Sequence, residues 1–139
     1  MTQSKARALK ILLLTREDLP ECFAAAQDAF VRFSRLLFQP YPLSDESTEL
    51  MIRSRIQAFE DKPDARRLKA IDTEMSVIMA AAEWSVYLEA EILYKSKEEV
   101  AEARLEPRVP ELREDISRAY YITMNQEKHD VIGSEEDGR

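Results

Sequence analysis

Hydrophobic and polar positions change period several times along the chain, and each change predicts an element. Residues 8–15, ALKILLLT, form a short apolar run broken only by Lys10 and closed by polar residues, which predicts a buried strand. From Leu19 the period lengthens. Leu19, Phe23, Ala26, Phe30, Phe33 and Leu37 recur at three- and four-residue steps, the mark of one amphipathic helix. Thr15 and Asp18 offer a capping arrangement ahead of it, and Pro20 falls in the first turn, where its missing N–H does no harm. Gln39-Pro40-Tyr41-Pro42 stops that helix, because each proline lacks a donor and disfavours α geometry in the residue before it. Ser44 as N-cap, Asp45 and Glu46 in the first turn, and the stripe Ile52, Ile56, Phe59 predict a second helix. It ends at Lys62-Pro63 and packs beside the first.

Residues 67–72, RLKAID, and 77–88, VIMAAAEWSVYL, read as two strands of a hairpin joined by Thr73-Glu74-Met75-Ser76. Strict alternation puts Ile78, Ala80, Ala82, Trp84, Val86 and Leu88 on one wholly apolar face. Val77, Met79, Ala81, Glu83, Ser85 and Tyr87 then share the other face, which turns polar halfway along. Further on, Ser96 with Glu99 makes a capping-box pattern, Pro107 and Pro110 interrupt, and Leu112, Ile116, Ala119 and Thr123 renew a helical stripe toward His129. The expected architecture is α+β: strand, two helices and a β-hairpin, followed by a helical arm. It forms one domain over 1–132, with an αβ core at 8–88, the arm at 89–132 and a flexible tail at 133–139.

Composition narrows the function classes. The formal charge is -7, from 27 acids and 20 bases, and 14 of the acids against 8 of the bases lie from Glu89 onward. Such a balance offers no electrostatic footprint for nucleic acid or anionic lipid, and the three bases Arg66, Arg67 and Lys69 read as a solvated strand start. Uncharged apolar runs such as Ile11 to Leu14 are far too short to cross a membrane. One cysteine, Cys22, and an N-terminus without a signal-peptide core favour a reducing compartment, the cytoplasm. Glycine is confined to Gly133 and Gly138, so no glycine-rich phosphate loop is available before residue 133. One histidine and one cysteine cannot assemble a zinc site or a nucleophilic triad from local spacing.

The run TREDLPECFAAAQDAF, the FQPYP turn and RRLKAIDTEMSVIMAAAEWSVY resemble the first half of the GNAT superfamily of N-acetyltransferases, fungal type. Asp72, Thr73, Glu74 and Trp84 match that family's hairpin, whereas Met75 and Met79 stand where glycines are usual. The resemblance implies a truncated GNAT-like fold spanning roughly residues 8 to 132 by element order. It also implies an acyltransferase-related function. The family's pyrophosphate-binding motif, Gln/Arg-x-x-Gly-x-Gly/Ala, has no counterpart in this sequence. The expectation is therefore no cofactor in the isolated chain, with acetyl-CoA bound only if the missing half is supplied, and weak or absent acetyl transfer alone.

Three residues carry the candidate chemistry. Glu83, an acid on a largely apolar strand, Tyr41, held between two prolines, and His129, the sole histidine, are the groups available for acid/base work. Phe30, Phe38, Trp84 and Tyr87 are the aromatic candidates for lining a small-molecule pocket. These groups leave open a cofactor-independent enzyme of small-molecule metabolism, and the acidic arm leaves open an interaction module. A third strand ending the sheet exposes its edge, which predicts a homodimer through strand 77–88.

Overall fold

The computed structural model describes residues 8–84 and 96–136, with side chains for 8–84, 96–127 and 130. The elements run β1 (Leu9–Leu13), a 3-10 turn (Arg16–Asp18), α1 (Leu19–Ala29), α2 (Val31–Leu37), α3 (Asp45–Asp61), β2 (Arg66–Asp72), β3 (Val77–Trp84), α4 (Lys97–Arg104) and α5 (Glu114–Glu136). The α+β class is as expected. None of the described helices is long and apolar enough to cross a membrane. The described residues divide into two compact units, 8–31 with 52–84 and 32–51 with 96–136.

In the first unit β1, β2 and β3 form an antiparallel sheet in that order. Sequence alternation alone misassigns β3. The pairing runs Asp72 with Val77 and Ile71 with Ile78, then steps to Ala70 with Ala80, so Met79 is an extra, unpaired residue in a β-bulge. Neighbours on β2 point to opposite faces, so Ile78 and Ala80 do too. Ile78 therefore shares a face with Ala81 and Glu83, and Val77 joins Ala80, Ala82 and Trp84. The face holding Ile78 is covered by α1 and the C-terminal half of α3. Ile78 itself is buried, and its N–H donates to the Glu21 carboxylate of α1 at 2.9 Å.

The opposite face is open. β1 places Leu9, Ile11 and Leu13 there at 57%, 60% and 71% exposure, beside Trp84 at 48%. The strand expected to be buried at 8–15 is thus largely exposed: within β1 only Leu12, on the covered side, is even partly buried. The expected single helix over 19–37 is two: α1 ends as Phe30 N–H bonds Ala26 O, and Phe30 itself leaves helical geometry at φ -110, ψ 31. No proline or glycine marks the break. Its physical reason is that the apolar stripe serves two cores, Phe23 being buried in the first unit and Leu37 in the second.

The second unit is built on Leu37, Phe38 and Val109, with Phe33, Tyr41, Leu43, Met51, Leu112 and Ile116 packed against them. A short antiparallel bridge pins this core: Phe38 faces Leu112, Gln39 N–H donates to Glu111 O at 2.8 Å, and Arg113 N–H to Leu37 O at 2.8 Å. Ser96 caps α4 as its spacing predicts, accepting from Glu99 N–H at 3.1 Å. Ala101 and Ser117 are fully buried, and α4 and α5 pack on each other. α5 runs on through Gly133 to Glu136, so the helix reaches into the segment expected to be a flexible tail.

The hairpin turn shows what a stretch without glycine does at a left-handed position. The Asp72 carboxylate accepts from Glu74 N–H at 2.9 Å and Met75 N–H at 3.2 Å, and Ser76 closes the turn at φ 55 with its N–H on Asp72 O at 2.8 Å. A Cβ at that φ is sterically costly. Replacing it, Ser76→Gly, should stabilise the protein by about 0.5–1 kcal/mol, read as a higher urea midpoint. An unchanged or lower midpoint would show that Ser76 carries no such cost.

Candidate functional site

The helix-covered sheet face of the first unit concentrates its charged groups. Arg67, expected to be solvated, is buried at 8% exposure. β2 brings it under α3, where its guanidinium lies 4.3 Å from the Phe59 ring centroid. Its Nε donates to Glu83 Oε2 at 2.7 Å and its Nη1 to Lys62 O at 3.1 Å. A guanidinium tolerates this burial because its planar fork stacks on an aromatic face while meeting a carboxylate edge-on. Two residues along, on the same face, Lys69 donates to Asp18 Oδ2 at 2.7 Å, both side chains being mostly buried.

Asp18 is held by several donors at once. Burial alone would raise its carboxyl. The Lys69 ammonium and the Thr15 backbone N–H (2.7 Å) and hydroxyl (3.0 Å) outweigh that and keep it below the usual carboxylate range. The expected pairing of Thr15 and Asp18 is therefore real, and it anchors the sheet through Lys69 as well as the turn before α1.

Two clefts open beside these pairs. One, of ≈ 320 Å³, runs between α1 and β3, and its lining includes Cys22, Ala26, Phe30, Ile78, Met79 and Ala80. The other, of ≈ 190 Å³, is lined by Leu14, Leu19, Arg55, Arg67 and Glu83 among others, with Cys22 shared between the two. Cys22 is no nucleophile there: burial pushes its thiol up, and the negative charges of Asp18 and Glu21 push it further, so the thiolate is disfavoured.

In the second unit the polar centre is Glu111, a residue the sequence reading did not single out. It sits at the N-terminus of α3, where Ser44 accepts from Ser47 N–H at 3.1 Å. Glu111 Oε1 accepts from the Ser47 hydroxyl at 3.0 Å and the Ser44 hydroxyl at 3.2 Å. These bonds, the Ser47 hydroxyl first, outweigh burial and hold its carboxyl below the ordinary glutamate value. On α5, Arg118 meets Glu102, and Arg108 bonds Glu102 (2.6 Å), Glu106 (2.9 Å) and Glu114 (3.2 Å) in an exposed network.

Set against this geometry, the expected site residues scatter. Glu83 is bonded to Arg67 in the first unit, with half its side chain exposed. Tyr41 packs against the Leu37–Phe38–Val109 core of the second unit, and Phe38 belongs to that core. Phe30, at 63% exposure, lines the α1/β3 cleft, whereas Trp84 lies on the open sheet face. His129 falls on α5, but its side chain lies outside the described residues, as do Tyr87, Val86 and Leu88. Among the described residues no group of three or more His, Cys, Asp or Glu could hold a metal ion. Among the described carboxylates, Asp18 and Glu83 meet cations, Glu111 meets hydroxyls, and Asp72 and Glu21 meet backbone N–H groups. No protein-family model, curated protein or solved structure matches this chain.

Glu111 gives a stability prediction with a defined sign. Its native carboxyl titrates below its unfolded value, so it stabilises the fold above the unfolded value, and that contribution disappears as pH falls through the native one. Replacement by alanine leaves two hydroxyls without their acceptor and should cost about 2 kcal/mol near neutral pH, shrinking toward acid. Thermal unfolding of both proteins at about pH 7 and about pH 3.5 measures this. Equal losses at both would contradict it.

Proposed function

We propose that this chain is a GNAT-like scaffold without a coenzyme A cradle, working by association rather than by acetyl transfer on its own. The observation that carries this reading is the open apolar sheet face, with Leu9, Ile11 and Leu13 more than half exposed and Trp84 at 48%. A surface of that kind marks a contact site on a water-soluble unit. The element order supports the kinship: a strand, helices, then the hairpin with its Asp72-Thr73-Glu74 turn. The first 132 residues hold no glycine with which backbone could approach a diphosphate.

A homodimer of cytoplasmic chains is the form of association this reading takes, and acetyl-CoA binding falls to a partner that completes the scaffold. The cofactor-independent enzyme has less support. Glu83, its main acid, is bonded to Arg67, and Tyr41 is packed into a core. Calorimetric titration of the isolated chain with acetyl-CoA is the test. The expected outcome is no saturable heat; micromolar binding would overturn the reading.

A further inference from the structure

We infer that the open sheet face is the contact surface of a twofold homodimer, in which the β1 ridge of each copy lies over the β3 trough of the other. The inference rests on the association reading above and says which surface and which partner it uses.

Side-chain size across the face is lopsided. Along β1 stand Leu9, Ile11 and Leu13, all large and all exposed. Along β3, at the same levels, stand Val77, Ala80 and Ala82, because the Met79 bulge brings Ala80 level with Ala70 and Ile11. One margin of the sheet is a ridge and the other a shallow trough. A twofold axis running along β2 maps β1 of one copy onto β3 of the other while keeping each level. Leu9 then meets Val77, Ile11 meets Ala80 and Leu13 meets Ala82, twice over. Sheets stacked face to face pack by this interdigitation at about 10 Å separation. Trp84, one level past the end of β1, lies against the partner's Leu13 instead of colliding with it.

Charge is kept out of the middle of this contact. Among the described residues the face carries two charged side chains, Asp72, already engaged with its own hairpin turn, and the exposed Arg66. The axis along β2 sets each opposite its own copy, but at the two ends of the face, and the Leu68 and Ala70 levels between them are wholly apolar. The area suffices: exposed apolar surface on the order of 500 Å² per copy gives about 1,000 Å² in all, the level at which specific contacts begin. The acids that make up the net charge lie mostly from Glu89 onward, away from these strands in sequence.

The test measures the dimer dissociation constant by light scattering and sedimentation, with the full chain at up to roughly 100 µM, which populates any interface of micromolar Kd. Wild type is expected to dimerise, and Ile11→Glu to weaken the dimer at least roughly 100-fold by placing a charge in an apolar contact. Ala80→Leu fills the trough and is expected to weaken it roughly 10-fold or more. Adding Ile11→Ala to Ala80→Leu moves the bulk across the contact and should restore the constant to within about threefold of wild type. Each substitution is at an exposed position, and circular dichroism checks that each variant is folded. A wild-type dimer that none of these changes perturbs would overturn the face contact and leave the association reading standing. A wild-type monomer at the highest concentration would overturn both.

Discussion

Everything distinctive about the sheet follows from one inserted residue. Met79 has no partner on β2, and that bulge turns Val77 and Ile78 to the faces opposite to those that plain alternation assigns. Ile78 is thereby driven under α1, where its N–H meets Glu21, and Val77 joins Ala80 and Ala82 on the open side. Without the bulge, Ile78 would lie on the outer face and Val77 beneath the helix. The same insertion brings the small Ala80 level with Ile11, which gives the outer face its unequal margins.

The covered side is held by charge rather than by bulk. Arg67 and Lys69 occupy positions where large apolar side chains are the rule, and each is neutralised by a carboxylate, Glu83 and Asp18. Removing one member of such a pair leaves the other stranded, so these residues register α3 and the turn before α1 against the sheet more than they add net stability. The second unit repeats the device with a single acid: Glu111 gathers two hydroxyls at the start of α3. Both hydroxyls meet the same oxygen, Oε1, while the buried Oε2 has no hydrogen-bond partner among the described residues.

Much of this was legible in the residues, and the failures have identifiable causes. Ser96, the Thr15–Asp18 pair, the start of α3 and the hairpin turn were readable because capping and turn chemistry is local. The break at Phe30 was not, because the apolar stripe continues through it and only tertiary packing decides that its two halves serve different cores. The bulge was not, because Met79 is neither glycine nor proline and alternation carries no signal for an extra residue. Arg67 was misread as solvated because its partners, Phe59 and Glu83, are distant in sequence. Glu111 went unnoticed for the same reason, lying 64 residues from Ser47. Of the aromatic candidates for a pocket, Phe30 lines a cleft, Phe38 fills a core and Trp84 marks the open face, roles that periodicity cannot tell apart.

Trp84 is the only tryptophan, and it sits on that open face, so its fluorescence reports directly on whether the face is covered in solution. The decisive measurement is its emission maximum and acrylamide quenching as the protein is diluted from high to low micromolar concentration. The account predicts a shielded, blue-shifted indole when concentrated and a red-shifted, readily quenched one when dilute. An emission maximum and quenching constant that stay fixed across the whole range, at the values of a water-exposed indole, would contradict it.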